Sequence, residues 1–346
     1  MYIHKTYCVS PQQDPLQADI ELINGPVDKK LLAVEPAYDK IPPGILRRMG
    51  KSIRMGVGTA LPLMDKEDPA DGIIIGSANA GLDECVKFLI QIVDYDEGQL
   101  TPGNFVQSTG NVIAGQLGLI SKNKGYNITH IHQGLAFENA VIDAMMQLNA
   151  NPSNSYLLGG VDEISPYHYN IETLNGAYKK EDIPNKMLYD AVTPGCLPGE
   201  GAAMFMVNAE KDGAIANIKA VHTIHTEDVE LVKQQLQLFL QKNLEAGEEI
   251  DLLISGENGD SRTLPFYTAC ESLLNDDTTI IRFKHLCGEF ATASAIGLWY
   301  ACQVLQTKEI PSHMLKKDLT KKEYRNVLIY NNFKGGQHSF MLLSSL

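Results

Sequence analysis

The sequence predicts an α/β fold made of two similar halves, on three observations. Short β-prone apolar runs alternate with longer amphipathic stretches, the alternation starts again after about residue 210, and no Pro/Ser-rich linker divides the two parts. The halves are placed at 1–210 and 211–346 and are expected to form one compact, pseudo-symmetric body.

In the first half, GIIIG at Gly72–Gly76 reads as a buried strand followed by a helix through Leu82–Val93. Asn127–Ile131 is a second strand, and the helix through Glu138–Leu148 carries Ala140 and Ala144 at i,i+4. Ser155–Gly160 is a third strand, leading into a polar loop. In the second half, Ile215–His222 reads as a strand, Glu227–Asn243 as an amphipathic helix, Asp251–Ser255 as a buried strand and Ala293–Leu305 as a helix packed on small residues. Val327–Tyr330 and Ser339–Leu343 close the chain as strands joined by a turn at Gly335–Gly336.

Of 346 residues, 44% are hydrophobic and 21% charged, enough apolar side chains for one large core or two fused ones. The formal charge of −13 argues against nucleic acid as a partner, because phosphate binding needs a basic face that releases counterions. The same charge repels an acidic carrier protein over most of the surface. Lys179–Lys180 and the group Lys316, Lys317, Lys321, Lys322 and Arg325 are candidates for local basic patches, against the plainer reading of solvated helix faces. Six cysteines, at 8, 85, 196, 270, 287 and 302, form no CxxC pair and suit a reducing cytoplasm with most thiols buried. The N-terminus lacks a basic-then-apolar leader and no apolar run of about 18 residues occurs, so neither export nor membrane insertion is expected. No phosphate loop, HExxH or His/Asp cluster with ligand spacing is present, so neither cofactor nor metal is expected.

Four stretches carry the functional signal. Pro102–Leu119 (PGNFVQSTGNVIAGQLGL) contains an Asn-x-x-Ala-Gly helix, and Gly125–Ala144 (GYNITHIHQGLAFENAVIDA) passes from a β-prone run through a sharp glycine into a helix. TPGCLPGEGAAMFMV at 193–207 centres on a Gly-Glu-Gly-Ala turn, where the glycines permit positive φ and Glu200 can accept backbone N–H bonds. NNFKGGQHSFMLL at 331–343 joins a phenylalanine and two glycines to a closing strand. In this order the four resemble the β-ketoacyl synthase branch of the thiolase-like fold, over roughly residues 70–346. The resemblance implies α-β-α-β-α layers, two intertwined halves and a central dimer interface.

In that family a cysteine takes the acyl chain from a carrier-protein thioester, and two histidines assist decarboxylation and stabilise the oxyanion. The resemblance puts Gly134 at the nucleophile, or Gln133 with a one-residue slip, and neither side chain can form a thioester. The first histidine matches Glu257 or its neighbour Gly256 in SGENGDS, and the second matches Glu289 in KHLCGEFATA, where Lys284 persists. A neutral imidazole donates to a developing enolate, whereas an ionised carboxylate repels it by on the order of several kcal/mol at low effective dielectric. Independent condensation is therefore not expected.

Family chains that lose the cysteine resemble the β-subunit called the chain-length factor. This chain resembles more closely still the short ketosynthase-like proteins of aryl-polyene and flexirubin-type pigment clusters. The resemblance implies a cytoplasmic, non-condensing subunit in polyene, polyketide or fatty-acid-like chain synthesis. Its implied partner is a catalytic ketosynthase in a heterodimer, or a second copy in a homodimer, with the acyl carrier protein met through that partner. Two other classes stay open: a stand-alone thiolase-fold decarboxylase or thioester hydrolase using Glu and His residues, and a homodimeric binder of acyl chains or carrier proteins.

Individual residues then divide between chemistry and packing. Thr129, His130, Ile131 and His132 lie on the strand before the elbow that pairs across the family's dimer, and the histidines read either as pocket acid–base groups or as interface histidines satisfied by carbonyls. His285 could swing into the vacated site or simply pack. Cys196 and Cys287 could be relocated nucleophiles, with Lys284 the only evident activator, or buried small apolar residues. Glu257, Glu289 and Lys284 are expected to share one pocket, as an ion-pair network that holds its loops or as a general acid–base site. Phe333, a gate in the family, has no nucleophile to gate here and is expected to line a tunnel end or an interface.

Overall fold

The computed structural model of the chain describes residues 1–64, 69–317 and 323–346. Its strands are β1 (Tyr2–Val9), β2 (Gly72–Gly76), β3 (Tyr126–His130), β4 (Tyr156–Asp162), β5 (Gly201–Asn208), β6 (Ala216–His225), β7 (Leu252–Ser255), β8 (Thr279–Arg282), β9 (Leu315–Lys317), β10 (Asn326–Phe333) and β11 (Gln337–Ser344). Helices are α1 (Pro43–Leu46), α2 (Lys51–Ala60), α3 (Leu82–Asp94), α4 (Pro102–Gln107), α5 (Val112–Ser121), α6 (Ala136–Ala150), α7 (Pro166–Leu174), α8 (Val229–Asn243), α9 (Leu264–Glu271), α10 (Lys284–Cys287) and α11 (Ala293–Thr307).

The strands are hydrogen-bonded in the order β3-β2-β4-β5-β1-β6-β11-β10-β7-β8-β9. One pattern occurs twice. β2 runs parallel to β3 and β4, while β5 is antiparallel to β4 and β1. Likewise β7 runs parallel to β8 and β10, while β11 is antiparallel to β10 and β6. The two sets meet where Tyr2 and Ile3 of β1 pair with Asn217 and Ala216 of β6.

Side-chain alternation along the strands produces the layers. Ile74 and Leu158 face one way, into a central core with α6 and α11, which also receives Ile254, Ile329 and Met341 from the second strand set. Ile73, Ile75 and Leu157 face the other way, against α2 and α5. Leu253, Leu328 and Phe340 turn outward under α8 and α9. The result is α-β-α-β-α, and because β2, β4 and β7 are covered on both faces they are apolar runs rather than alternating ones.

The elements expected from sequence lie within a few residues of the observed ones, and among those not anticipated are β1, β8 and α7. β1 carries His4, Lys5 and Thr6 in mid-strand, half-exposed or exposed near the junction of the two sets, so it reads as polar. β8 is only four residues long. α7 replaces part of the polar loop expected after Gly160; it turns Tyr167, Ile171 and Leu174 toward solvent, so no apolar stripe facing the core announces it. Among the described residues no helix is long and apolar enough to cross a membrane.

Candidate functional site

A cavity of about 880 Å³ opens where the ends of β3 and β4, helix α7, the loop after β7, the loop after α10 and the β10–β11 turn converge. The elbow after β3 forms one wall. Gln133 adopts φ +48°, strained for a residue with a side chain, and lines the cavity, its carboxamide making no hydrogen bond among the described residues. Gly134 lies behind it: its N–H donates to Gln337 Oε1 at 2.8 Å, and a Cβ on Gly134 would sit 2.3 Å from the Phe333 Cβ. The elbow must be glycine there because the Phe333 turn presses against it. Of the two sequence alternatives it is thus Gln133, not Gly134, that faces the cavity.

The expected Glu257–Lys284–Glu289 trio is two separate clusters. Lys284, fully buried, donates from Nζ to Glu289 Oε1 at 2.6 Å, and Asn258 Nδ2 donates to Glu289 Oε2 at 2.7 Å. Glu257 points away, to Arg282 at 3.1 Å and Lys316 at 2.6 Å, and Lys316 also pairs with Glu271. The reason is register: Asn258, one residue beyond Glu257, lines the cavity, held by Thr263 Oγ1 and by the Asp260 N–H it accepts. Sequence reading missed Asn258 because the match was drawn to the neighbouring carboxylate.

Neither cysteine is an activated nucleophile. Cys196 lines the cavity, but burial and then the Glu289 and Asp260 carboxylates push its thiol up, and Sγ donates to the Ala177 carbonyl at 3.4 Å. Cys287 is fully buried, its thiol also pushed up by burial, with Sγ on the Gly288 carbonyl. His285 does not swing into the site. Its Nδ1 meets the Tyr189 hydroxyl at 3.3 Å and its Nε2 the His313 Nδ1 at 2.9 Å, and burial with the His313 and Arg282 charges lowers it to about 3.

Phe333 packs against the elbow, and the next residue, Lys334 at φ +56°, reaches Glu172 Oε1 on α7 at 2.6 Å. His168 shares that oxygen at 3.2 Å. The turn therefore spans the cavity mouth. Glu200 accepts from the Ala33 and Ile164 N–H groups, at 2.8 and 3.0 Å, and pairs with Lys51. Its flanking glycines serve close approach rather than positive φ: a Cβ on Gly199 would lie 1.9 Å from the Cys287 carbonyl oxygen.

β3 ends the sheet, with one edge unpaired among the described residues. Thr129 Oγ1 donates to Asn111 at 2.9 Å, His130 Nε2 lies 2.9 Å from Asp143, and His132 Nδ1 accepts from Asn139 at 2.8 Å. Ile131 is 54% exposed. The basic candidates are not a shared patch. Lys179 is internal, its ammonium ringed by the Thr193 carbonyl, the Thr193 hydroxyl and the Gly259 carbonyl at 2.9–3.0 Å. Lys316 is taken by carboxylates, and Lys321 and Lys322 lie outside the described residues.

Among solved structures, a β-ketoacyl synthase from Burkholderia phymatum STM815 superposes with a TM-score of 0.79 at 15% identity, over 100% of this chain and 99% of that one. The fold is that of the thiolase-like ketosynthases. The ishigamide ketosynthase/chain length factor is similar at 18% identity and TM-score 0.74, over 100% and 99% of the two chains. So is the ketosynthase ApeO in complex with its chain length factor ApeC from Xenorhabdus doucetiae, at 13% identity and TM-score 0.72, over 100% and 98%. The profile of the β-ketoacyl synthase N-terminal domain matches residues 26–181. No curated protein sequence matches this one.

Proposed function

We propose that the chain is a non-condensing, chain-length-factor-type subunit that pairs with a cysteine-bearing ketosynthase in the cytoplasm and helps bound the acyl chain that its partner elongates. The observation that carries this reading is Gln133. It occupies the strained elbow facing the cavity, beside Gly134, and neither of these two positions that the resemblance offers for the nucleophile carries a side chain able to hold an acyl group as a thioester. Glu289 gives the cavity no free acid or base, since Lys284 and Asn258 engage both its oxygens. This favours the subunit over a stand-alone decarboxylase or hydrolase built on Glu257 and Glu289.

The surface supports a protein partner. Helices α3 and α4, packed on each other through Phe88 and Phe105, expose Leu89, Val93, Phe105 and Val106, and Gly110 in the link to α5 rests against Ile131, just past the edge strand β3. Similarity to the ishigamide and Xenorhabdus doucetiae pairs, each of a ketosynthase and a chain length factor, makes a ketosynthase the expected occupant. By the resemblance, the product is a polyene, polyketide or fatty-acid-like chain, as in aryl-polyene or flexirubin-type pigments, and the carrier protein docks through the partner. The test is co-expression with a cysteine-bearing ketosynthase from the same organism. Co-purification in equal amounts supports the reading. A homodimer that ignores the ketosynthase contradicts it.

A further inference from the structure

Five carboxyl groups line the cavity, and all but one are satisfied. Asp162 accepts from Ser77, Thr292 and the Ala78 and Asn79 N–H groups. Glu172 holds Lys334 and His168, Asp260 holds Arg262, and Glu289 holds Lys284 and Asn258. Glu163, the residue after β4, has no cation and no donor in hydrogen-bond geometry among the described residues, although it is only 8% exposed and Oε1 is shut off from water.

Its surroundings make this unusual. Asp83 and Glu84 of α3 and Glu200 of the 199–203 turn face it, and the nearby cations are committed elsewhere: Lys51 to Glu200, Lys87 to Glu84, Arg54 to Glu35. The Ser52 hydroxyl of α2 stands near enough to favour the ionised form, yet it is buried and makes no hydrogen bond of good geometry. Burial, then the Asp83 and Glu84 charges, push the Glu163 carboxyl up to about 7. Oε1 is closed off from the cavity as well as from water, so the oxygen that a bound group can meet is Oε2, which is not closed off and has no partner among the described residues. A metal ion does not fit, because no group of three or more His, Cys, Asp or Glu among the described residues could hold one. The remaining walls near the elbow, Phe290, Ala291 and Phe333, suit hydrocarbon.

We propose that Glu163 is the specificity residue of this cavity, donating a hydrogen bond as a neutral acid to an oxygen atom carried on an otherwise apolar acyl chain. This rests on the cavity holding an acyl chain, as proposed above, and adds which chain: one bearing a keto oxygen close to the thioester rather than a fully reduced one. The pH dependence has a definite sign. A ketone only accepts, so the competent form is the protonated one, and affinity falls as pH rises through the range in which Glu163 loses its proton.

The experiment is calorimetric titration of the full chain, or of its complex with a ketosynthase, with two probes: the N-acetylcysteamine thioesters of 3-oxooctanoic and octanoic acid. At pH 6 the 3-oxo probe should bind about tenfold more tightly, the worth of one hydrogen bond to a buried group. Its affinity should fall about tenfold by pH 8, following the protonated fraction, while the octanoyl probe stays flat. Glu163→Gln keeps a donor, so it should keep the preference and lose the pH dependence. Glu163→Leu should lose the preference. Equal binding of the two probes, or a preference that survives in Glu163→Leu, overturns the assignment and leaves the subunit reading standing. Binding of neither probe overturns both.

Discussion

The Lys284 ammonium and the Glu289 carboxylate form a buried ion pair at 2.6 Å, completed by Asn258 on the second carboxylate oxygen. The pair joins α10 to the loop after it and sets one wall of the cavity. Glu289→Ala strands a buried ammonium and should cost about 3–5 kcal/mol, whereas Lys284→Met combined with Glu289→Leu should cost less than that single change. Urea unfolding of the three proteins reads the difference. A double variant as unstable as the single would show that the side chains matter through packing and not through charge.

Gly134 is fixed by the approach of Phe333. Gly134→Ala should lose about 1–3 kcal/mol by overpacking, and Phe333→Ala should recover part of that loss in the double variant. Thermal unfolding checks it. Additive losses would mean that the two residues do not press on one another.

Gln133 faces the cavity, so Gln133→Cys should place a reactive thiol there. The variant should be alkylated by iodoacetamide far faster than the buried native thiols, yet form no condensation product from acyl- and malonyl-carrier protein, because the resemblance puts Glu289 at one histidine position and Glu257 or Gly256 at the other. Product formation by the variant would refute the assignment of those two positions.

Stability should depend on pH in two opposite ways. His285 is lowered to about 3 and His338 to about 4, mainly by burial, so the unfolded chain binds protons that the native one refuses. Stability should fall as pH drops from about 6.5, by at most about 1.4 kcal/mol per pH unit for each group. Glu163 is raised to about 7, so its contribution is present at low pH and is lost as pH rises through neutrality. Glu163→Gln should flatten the neutral limb and leave the acid limb intact. An unchanged neutral limb would place the orphaned carboxyl in contact with water.

The strand set was legible where burial is two-sided: GIIIG and DLLIS are strands because helices cover both of their faces. The elbow was legible from its glycine, but not which residue faces the cavity, since that depends on Phe333, far along the chain. The Glu257–Lys284–Glu289 grouping failed for a related reason. Alternation about a loop sends Glu257 and Asn258 to opposite sides, and only the packing of Lys316 and Arg282 shows which side holds the carboxylate. Glu163 left no mark in sequence, because its importance lies in the absence of a partner.

A chain without a nucleophile at its elbow leaves the acyl group to be held by the partner alone. Intact-mass spectrometry of the co-purified complex after incubation with acyl-carrier protein tests this directly. The acyl mass should appear on the ketosynthase alone, leaving this polypeptide unmodified. An acyl adduct on this chain, at Cys196 or any other residue, would contradict it.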